Sequence, residues 1–323
     1  MDFNIEYYIS SLSEDIKEID VSCRGIKNIS DLTKFTKLHT LHCDYNNLTF
    51  LPSLPKNLKR LYCGENKLTY LPDLPENLEL LYCDHNCLSF LPTFPKKLER
   101  INCGRNMLSS LPHLPKNLKN LICCWNRLTL LPDLPENLEI LNCNNNVLTC
   151  LPSLNENLEV LYCDNNWLTS LPLFPKQLEK IYCSDNLIYV LPNFPENLKI
   201  LHCFNNELIF LPTLNKNLKE LYCSNNYLIY LPDLNEKLEC LHYMENPINE
   251  IIQNNKISII NHKVKILNNF RFLYYCLKFK KQFRYWLWVK IREPKIREQY
   301  SYDYLVKNLH EDTDLDELLD NWS

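Results

Sequence analysis

The chain has 323 residues, with 35 Lys and Arg against 39 Asp and Glu, a net charge of −4 and a pI of about 6.1. That balance gives no case for nucleic-acid binding. The three glycines of the whole chain leave almost no room for a phosphate-cradling loop, and no uncharged apolar run approaches the roughly 18 residues of a membrane span.

Alanine is missing, while Asn, Ile, Lys and Tyr are abundant, a bias typical of AT-rich coding sequence. The first residues, MDFNIEYYISSLSEDIKEID, carry acids early and show no basic stretch followed by an apolar one. This argues against a secretory signal. The expectation is a cytoplasmic protein whose 16 cysteines stay as thiols. Residues 1–37 are predicted to form an N-terminal cap with a short helix before position 16, then a diverged first repeat. In that repeat Ile16, Ile19, Val21, Ile26 and Ile29 keep the apolar spacing, with Arg24 where later units have Asn.

Residues 38–251 hold ten units of 20 residues and a closing half-unit. Cysteines fall at 43, 63, 83, 103, 123, 143, 163, 183, 203 and 223. The common frame is L-x-x-L-x-C-x-x-N-x-L-x-x-L-P-x-L-P-x-N. Alternation in L-x-C, as in Leu41 and Cys43, predicts a short strand in every unit. Stacked units then form a parallel ladder about 4.8 Å apart, roughly 55–60 Å long for twelve turns. The Asn column, from Asn46 to Asn246, ends each strand and is predicted to pair backbone groups of the turn. Loss of one such Asn should cost on the order of 1–3 kcal/mol. The L-P-x-L-P stretch holds 17 of the 19 prolines. Proline fixes φ and lacks a donor, so this side reads as extended and polyproline-like.

From 252 the pattern stops. Residues 263–292 carry nine Lys and Arg and no acid, interleaved with aromatics; residues 293–323 carry nine Asp and Glu against three Lys and Arg. A helical stripe at 272, 276, 279, 283 and 286 and a break at Pro294 predict a C-terminal helical cap over residues 252–323. A basic aromatic helix also suits an anionic membrane surface or RNA. The spread of its apolar residues and the neighbouring acidic tail favour the cap.

The L-P-x-L-P-x-N-L-x-x-L-x-C-x-x-N-x-L frame resembles the short, bacterial-type leucine-rich repeats of secreted effectors. The nucleotide bias, the Asn-rich Cys frame and the tail at 283–309 resemble the leucine-rich repeat and ankyrin proteins of mimivirus-type giant viruses. The resemblance implies an α/β repeat solenoid, a leucine-rich-repeat horseshoe with short parallel strands on its concave face. It further implies a non-enzymatic scaffold that binds a protein partner on that face, in the host cytoplasm if the source is a virus. Some effectors of this repeat type carry a ubiquitin-ligase domain with a catalytic C-x-D motif. Here the tail is short, and Cys276 is followed by Leu277 and Lys278. An adaptor that recruits ubiquitin machinery through the C-terminal helices is the alternative.

The cysteine column has three readings: metal site, redox array or packing. Zinc wants four converging ligands, whereas these thiols lie in line, one per unit, and in-register side chains point the same way. They read as small buried hydrophobes. Eight scattered histidines and recurring acids such as Asp73, Glu76, Asp133 and Glu136 suggest no catalytic or metal centre, and no cofactor is predicted. The outward side of the strands is the informative surface. It offers His42, Tyr45, Tyr62, Tyr82, His85, Arg105, Trp125, Tyr162, Tyr182, Phe204 and Tyr222, with Arg60, Arg100, Trp167 and Tyr227 beside them. Tyr, Trp and Arg anchor protein interfaces. Simple gene duplication of a good strand residue is the competing explanation for the Tyr column, but these outward columns vary in identity while the inward ones do not.

Overall fold

A computed structural model describes residues 4–253 and 256–299. The chain divides into two compact units between Val264 and Lys265. In the first, helix α1 (Ile5–Ser11) is capped by the Asn4 side chain, which accepts from the Tyr7 N–H, and it buries Ile9. Twelve three-residue strands follow, from β1 (Glu18–Asp20) and β2 (Thr40–His42) through β3 (Arg60–Tyr62) to β12 (Cys240–His242). All lie in one parallel sheet in chain order.

The 20-residue period sets the register. Arg60 pairs with Leu80, Leu61 with Leu81 and Tyr62 with Tyr82, and the same offset recurs to β12. The diverged first unit is two residues longer, so Ile19 pairs with Leu41. Every turn thus has both neighbours' backbone groups at hand, which is how a parallel sheet avoids orphaned amides. The core runs as columns. Leu58, Leu61, Cys63 and Leu68 are completely buried, as are their counterparts through Leu228. In the last unit Tyr243 takes the cysteine position and is equally buried.

The asparagine column closes each strand. Asn146 is typical: its Oδ1 accepts the Leu128 N–H of the preceding unit (3.0 Å), and its Nδ2 reaches the carbonyls of Cys123 (3.1 Å), Cys143 (3.1 Å) and Asn144 (3.3 Å). The opposite side is extended and ends in a tight turn, in which the Leu78 N–H donates to the Pro75 carbonyl at 3.0 Å. A second asparagine ladder runs along this side, as where Asn137 donates to the Lys116 carbonyl. Units with lysine in this position keep the link. Lys97 and Lys237 donate to Asn77 and Asn217, and Asn235, standing in place of proline, donates to the Asn215 and Leu218 carbonyls.

After β12 come α2 (Asn249–Ile252) and α3 (Ile257–Lys278). Ile252, Ile260 and Val264 are buried in the first unit. The second unit holds the rest of α3, α4 (Lys280–Leu287), a π-helical turn (Trp288–Arg292) and α5 (Glu293–Gln299). Pro294 sits in the first turn of α5, which follows the π-helical turn without a gap, so helix runs through the expected break. Phe272 and Phe279 of the expected stripe are exposed, so the apolar burial of α3 belongs to its first two turns instead. Positions 276, 283 and 286 and the acidic stretch 300–323 lie outside the described side chains. No described helix is long and apolar enough to cross a membrane.

Candidate functional site

Three columns of side chains leave the sheet on the side away from the core. The first is the last strand residue, just before each cysteine. His42, Tyr62, Tyr82, Tyr162, Tyr182 and Tyr222 stand here, each half-buried. Units stacked in register bring their rings together. His42 stacks on Tyr62 with centroids 4.4 Å apart, and Tyr62 meets Tyr82 edge-on at 5.4 Å. A second stack runs Tyr162, Tyr182, His202, Tyr222, His242, with centroids 4.2–4.7 Å apart. Between the two stacks the column holds Asn102, Ile122 and Asn142. The aromatic stripe is therefore two patches, and His202 and His242, members of the outward column though not of the candidate binding set, belong to the second. The signal for them was their column. Burial holds His202 below the ordinary histidine value against the opposing pull of Glu220, and raises Tyr182.

The second column follows each cysteine and reads Asp44, Gly64, Asp84, Gly104, Cys124, Asn144, Asp164, Ser184 and Phe204. Phe204 is half-buried here. Asp164 accepts from Asn144 Nδ2 (3.1 Å) and from the Ser184 N–H (2.7 Å). Burial pushes its carboxyl up to about 6, opposed by that Ser184 N–H.

The third column carries the exposed groups, and its backbone is unusual. Tyr45, Glu65, His85, Arg105, Trp125, Asn145, Asn165, Asp185, Asn205, Asn225 and Glu245 all have φ between 49 and 55°. The left-handed turn keeps the N–H on the ladder, so that of Trp125 reaches the Asn144 carbonyl at 2.9 Å. For side chains other than Asn, Asp and Gly this conformation costs on the order of 1 kcal/mol or more. From 145 to 225 the column is Asn and Asp throughout, and several bond one another, as Asn205 does with Asp185 at 2.7 Å. From 45 to 125 it is instead Tyr, Glu, His, Arg and Trp. Tyr45 is 60% exposed and Trp125 52%; Arg105 lies over the Trp125 ring at 5.2 Å, and His85 reaches Glu65 at 3.3 Å. Trp167 and Tyr227 follow the asparagine of their units and are also exposed.

The cysteine column offers no chemistry. Its thiols are fully buried and free, and burial pushes those of Cys103 and Cys223 up to about 12. A buried, protonated thiol is a poor nucleophile at neutral pH. Among the described residues no His, Cys, Asp and Glu converge as a metal site.

No protein-family model and no curated protein sequence matches the chain. Solved structures do. YopM from Yersinia enterocolitica superposes with a TM-score of 0.68 at 34% identity over 73% of this chain, which spans 57% of the YopM chain. The leucine-rich repeat domain of FLRT2, solved in an octameric complex with latrophilin 3 and Unc5D, matches 72% of the chain with a TM-score of 0.60 at 24% identity and is covered over 85% of its length. A leucine-rich repeat protein of Leptospira interrogans matches 75% with a TM-score of 0.51 at 24% identity, with 84% of its length covered. At such identities the last two speak for the fold alone.

Proposed function

We propose that this chain, which belongs to the leucine-rich repeat proteins with units of about 20 residues, is a non-enzymatic scaffold that binds a protein partner on its concave strand face. One observation carries the reading. Five consecutive units, 45 to 125, place bulky or charged side chains at a left-handed position that the following five fill with Asn or Asp. Strain kept where a low-strain choice is repeatedly available points to use of the side chain. Tyr, Trp and Arg are also the residue types that dominate interface energies. The partner-contacting set comprises His42, Tyr45, Tyr62, Tyr82, His85, Arg105 and Trp125, continuing along Tyr162, Tyr182, Phe204 and Tyr222.

Photo-crosslinking tests this. A benzophenone side chain replaces Trp125 in one version of the full chain, and Leu173 of the extended side, 83% exposed, in another. Crosslinks to one protein from Trp125 and none from Leu173 are expected; equal yields from both would refute the concave face. Trp125→Asn should then weaken that partner about tenfold or more. Asn adopts the left-handed turn easily, so stability should change by no more than about 1 kcal/mol.

A further inference from the structure

Near the N-terminal end of the strand face lies a hollow of about 240 Å³. Its floor is Gly64, and Tyr45, Tyr62 and Tyr82 wall it. Gly64 does not have a left-handed φ, so its lack of a side chain serves space rather than turning. A Cβ added there would lie 3.0 Å from Asp84 Oδ1 and 3.2 Å from the Asp84 carbonyl oxygen. Only three glycines occur in the chain, and two of them, Gly64 and Gly104, flank Asp84 in this one column. Gly64 thus keeps space beside the Asp84 carboxylate, whereas a Cβ at Gly104 would meet Cys124 and Asn102 instead.

Three carboxylates, Asp44, Glu65 and Asp84, open into the hollow, and no Lys or Arg lines it. Their side chains are only 25%, 39% and 23% exposed, so they are partly shielded from water. Among the described residues, two histidines lie beside these carboxylates, charged only when protonated. His85 lies 3.1 Å from Asp84 and 3.3 Å from Glu65, and His42 lies 3.9 Å from Asp44 while also facing Glu18 at 3.6 Å. The lining itself holds no fixed positive charge to set against these carboxylates. Aromatic faces beside grouped carboxylates suit a flat cation with several donors. A guanidinium satisfies both, since it stacks on aromatic rings and forks onto carboxylates, whereas an ammonium is a compact, strongly hydrated point charge.

We propose that this hollow seats an arginine side chain of the protein partner, with the guanidinium against the tyrosine rings and its donors on Asp44, Glu65 and Asp84. The proposal rests on the reading of the strand face as a protein-binding surface and names the chemistry of its partner.

The test uses the full chain with ¹³C-labelled tyrosine rings and three capped tripeptides, Gly-Arg-Gly, Gly-Lys-Gly and Gly-citrulline-Gly. The arginine peptide should shift the Tyr62 and Tyr82 ring signals saturably and leave those of Tyr162 and Tyr182 in place. The citrulline peptide, equal in shape but neutral, should bind at least tenfold more weakly, and lysine should fall between. Asp84→Asn should weaken the arginine peptide about tenfold, as loss of one charge-assisted contact does. Gly64→Ala should do so by crowding the Asp84 carboxylate. Unchanged signals of the second stack confirm that each variant is folded. Equal binding of arginine and citrulline, or no shift at Tyr62 and Tyr82, overturns the proposal. If Trp125 still crosslinks a partner in that case, the scaffold reading stands without it; if arginine seats but crosslinks fail, the scaffold reading falls and takes with it the assignment of that arginine to a protein partner.

Discussion

Replacing Asn146 by Leu removes four hydrogen bonds at once from a side chain that is 7% exposed. The Leu128 N–H loses its acceptor, and the carbonyls of Cys123, Cys143 and Asn144 lose a shared donor. An unpaired buried N–H costs about 1–3 kcal/mol, and the carbonyls add a smaller amount, because each keeps a second lone pair that the ladder can use. The sum is about 3 kcal/mol, or roughly a hundredfold in local opening. The control is Asn137→Leu, which removes one exposed bond to the Lys116 carbonyl and should cost about 0.5 kcal/mol. Repeat arrays unfold with limited cooperativity, so a single melting curve averages the damage. Native-state hydrogen exchange at the Leu128 amide is the sharper assay, with about a hundredfold loss of protection expected there and little change four units away at Leu48. Equal costs for the two variants, or full protection of Leu128 in Asn146→Leu, would refute the reasoning.

Two further outcomes follow from ionisation. Asp164 titrates near 6 in the fold against an ordinary 3.8, so its ionised form is disfavoured by burial; the stability present below about pH 4 is lost as pH rises through 6. Stability of Asp164→Asn relative to the parent should rise by on the order of 2 kcal/mol between pH 4 and pH 7, and a constant difference in urea titrations at the two values would contradict this. The thiols of Cys103 and Cys223 ionise near 12 in the fold against 9.0 ordinarily, so stability is full below 9 and falls as pH rises towards 12. At pH 10 each contributes a loss of about 1.4 kcal/mol, which the double variant Cys103→Ala, Cys223→Ala should remove; an identical alkaline loss in parent and variant would sink the argument.

The repeated columns were legible because period and side-chain chemistry agree at every position. Leu58, Leu61, Cys63 and Asn66 recur at fixed spacing, and stacking in register makes each column one environment. The extended proline side was equally plain, since proline restricts the backbone whatever surrounds it. Two things were hidden. The break in the aromatic stripe depends on which rings reach one another, a contact that the letters at 102, 122 and 142 announce only once the register is known. The hollow over Gly64 was missed because its carboxylates come from two columns and three units, and Asp44, Glu65 and Asp84 look individually like ordinary surface acids. The glycine was the available clue: in a chain so poor in glycine, one after a strand cysteine marks space.

The left-handed column shows how such a scaffold separates folding from recognition. Its backbone conformation is the same in every unit from Tyr45 to Glu245, so the geometry is imposed by the ladder and not by the residue. Asparagine and aspartate meet that demand cheaply, and from 145 to 225 they do so while bonding to one another. There the column serves the fold. From 45 to 125 the same geometry displays Tyr, Glu, His, Arg and Trp at a cost in strain that the buried leucines and asparagines of each unit outweigh. A surplus of stability in identical units is what allows individual positions to depart from the best residue for the fold. The hollow of Tyr62, Gly64 and Asp84 falls in this same N-terminal stretch, so the strained positions and the grouped carboxylates lie on one half of the strand face. The second aromatic stack continues this face with rings that cover one another as those of the first stack do, while the left-handed asparagines beside it pair laterally, so its half of the surface is displayed without comparable strain.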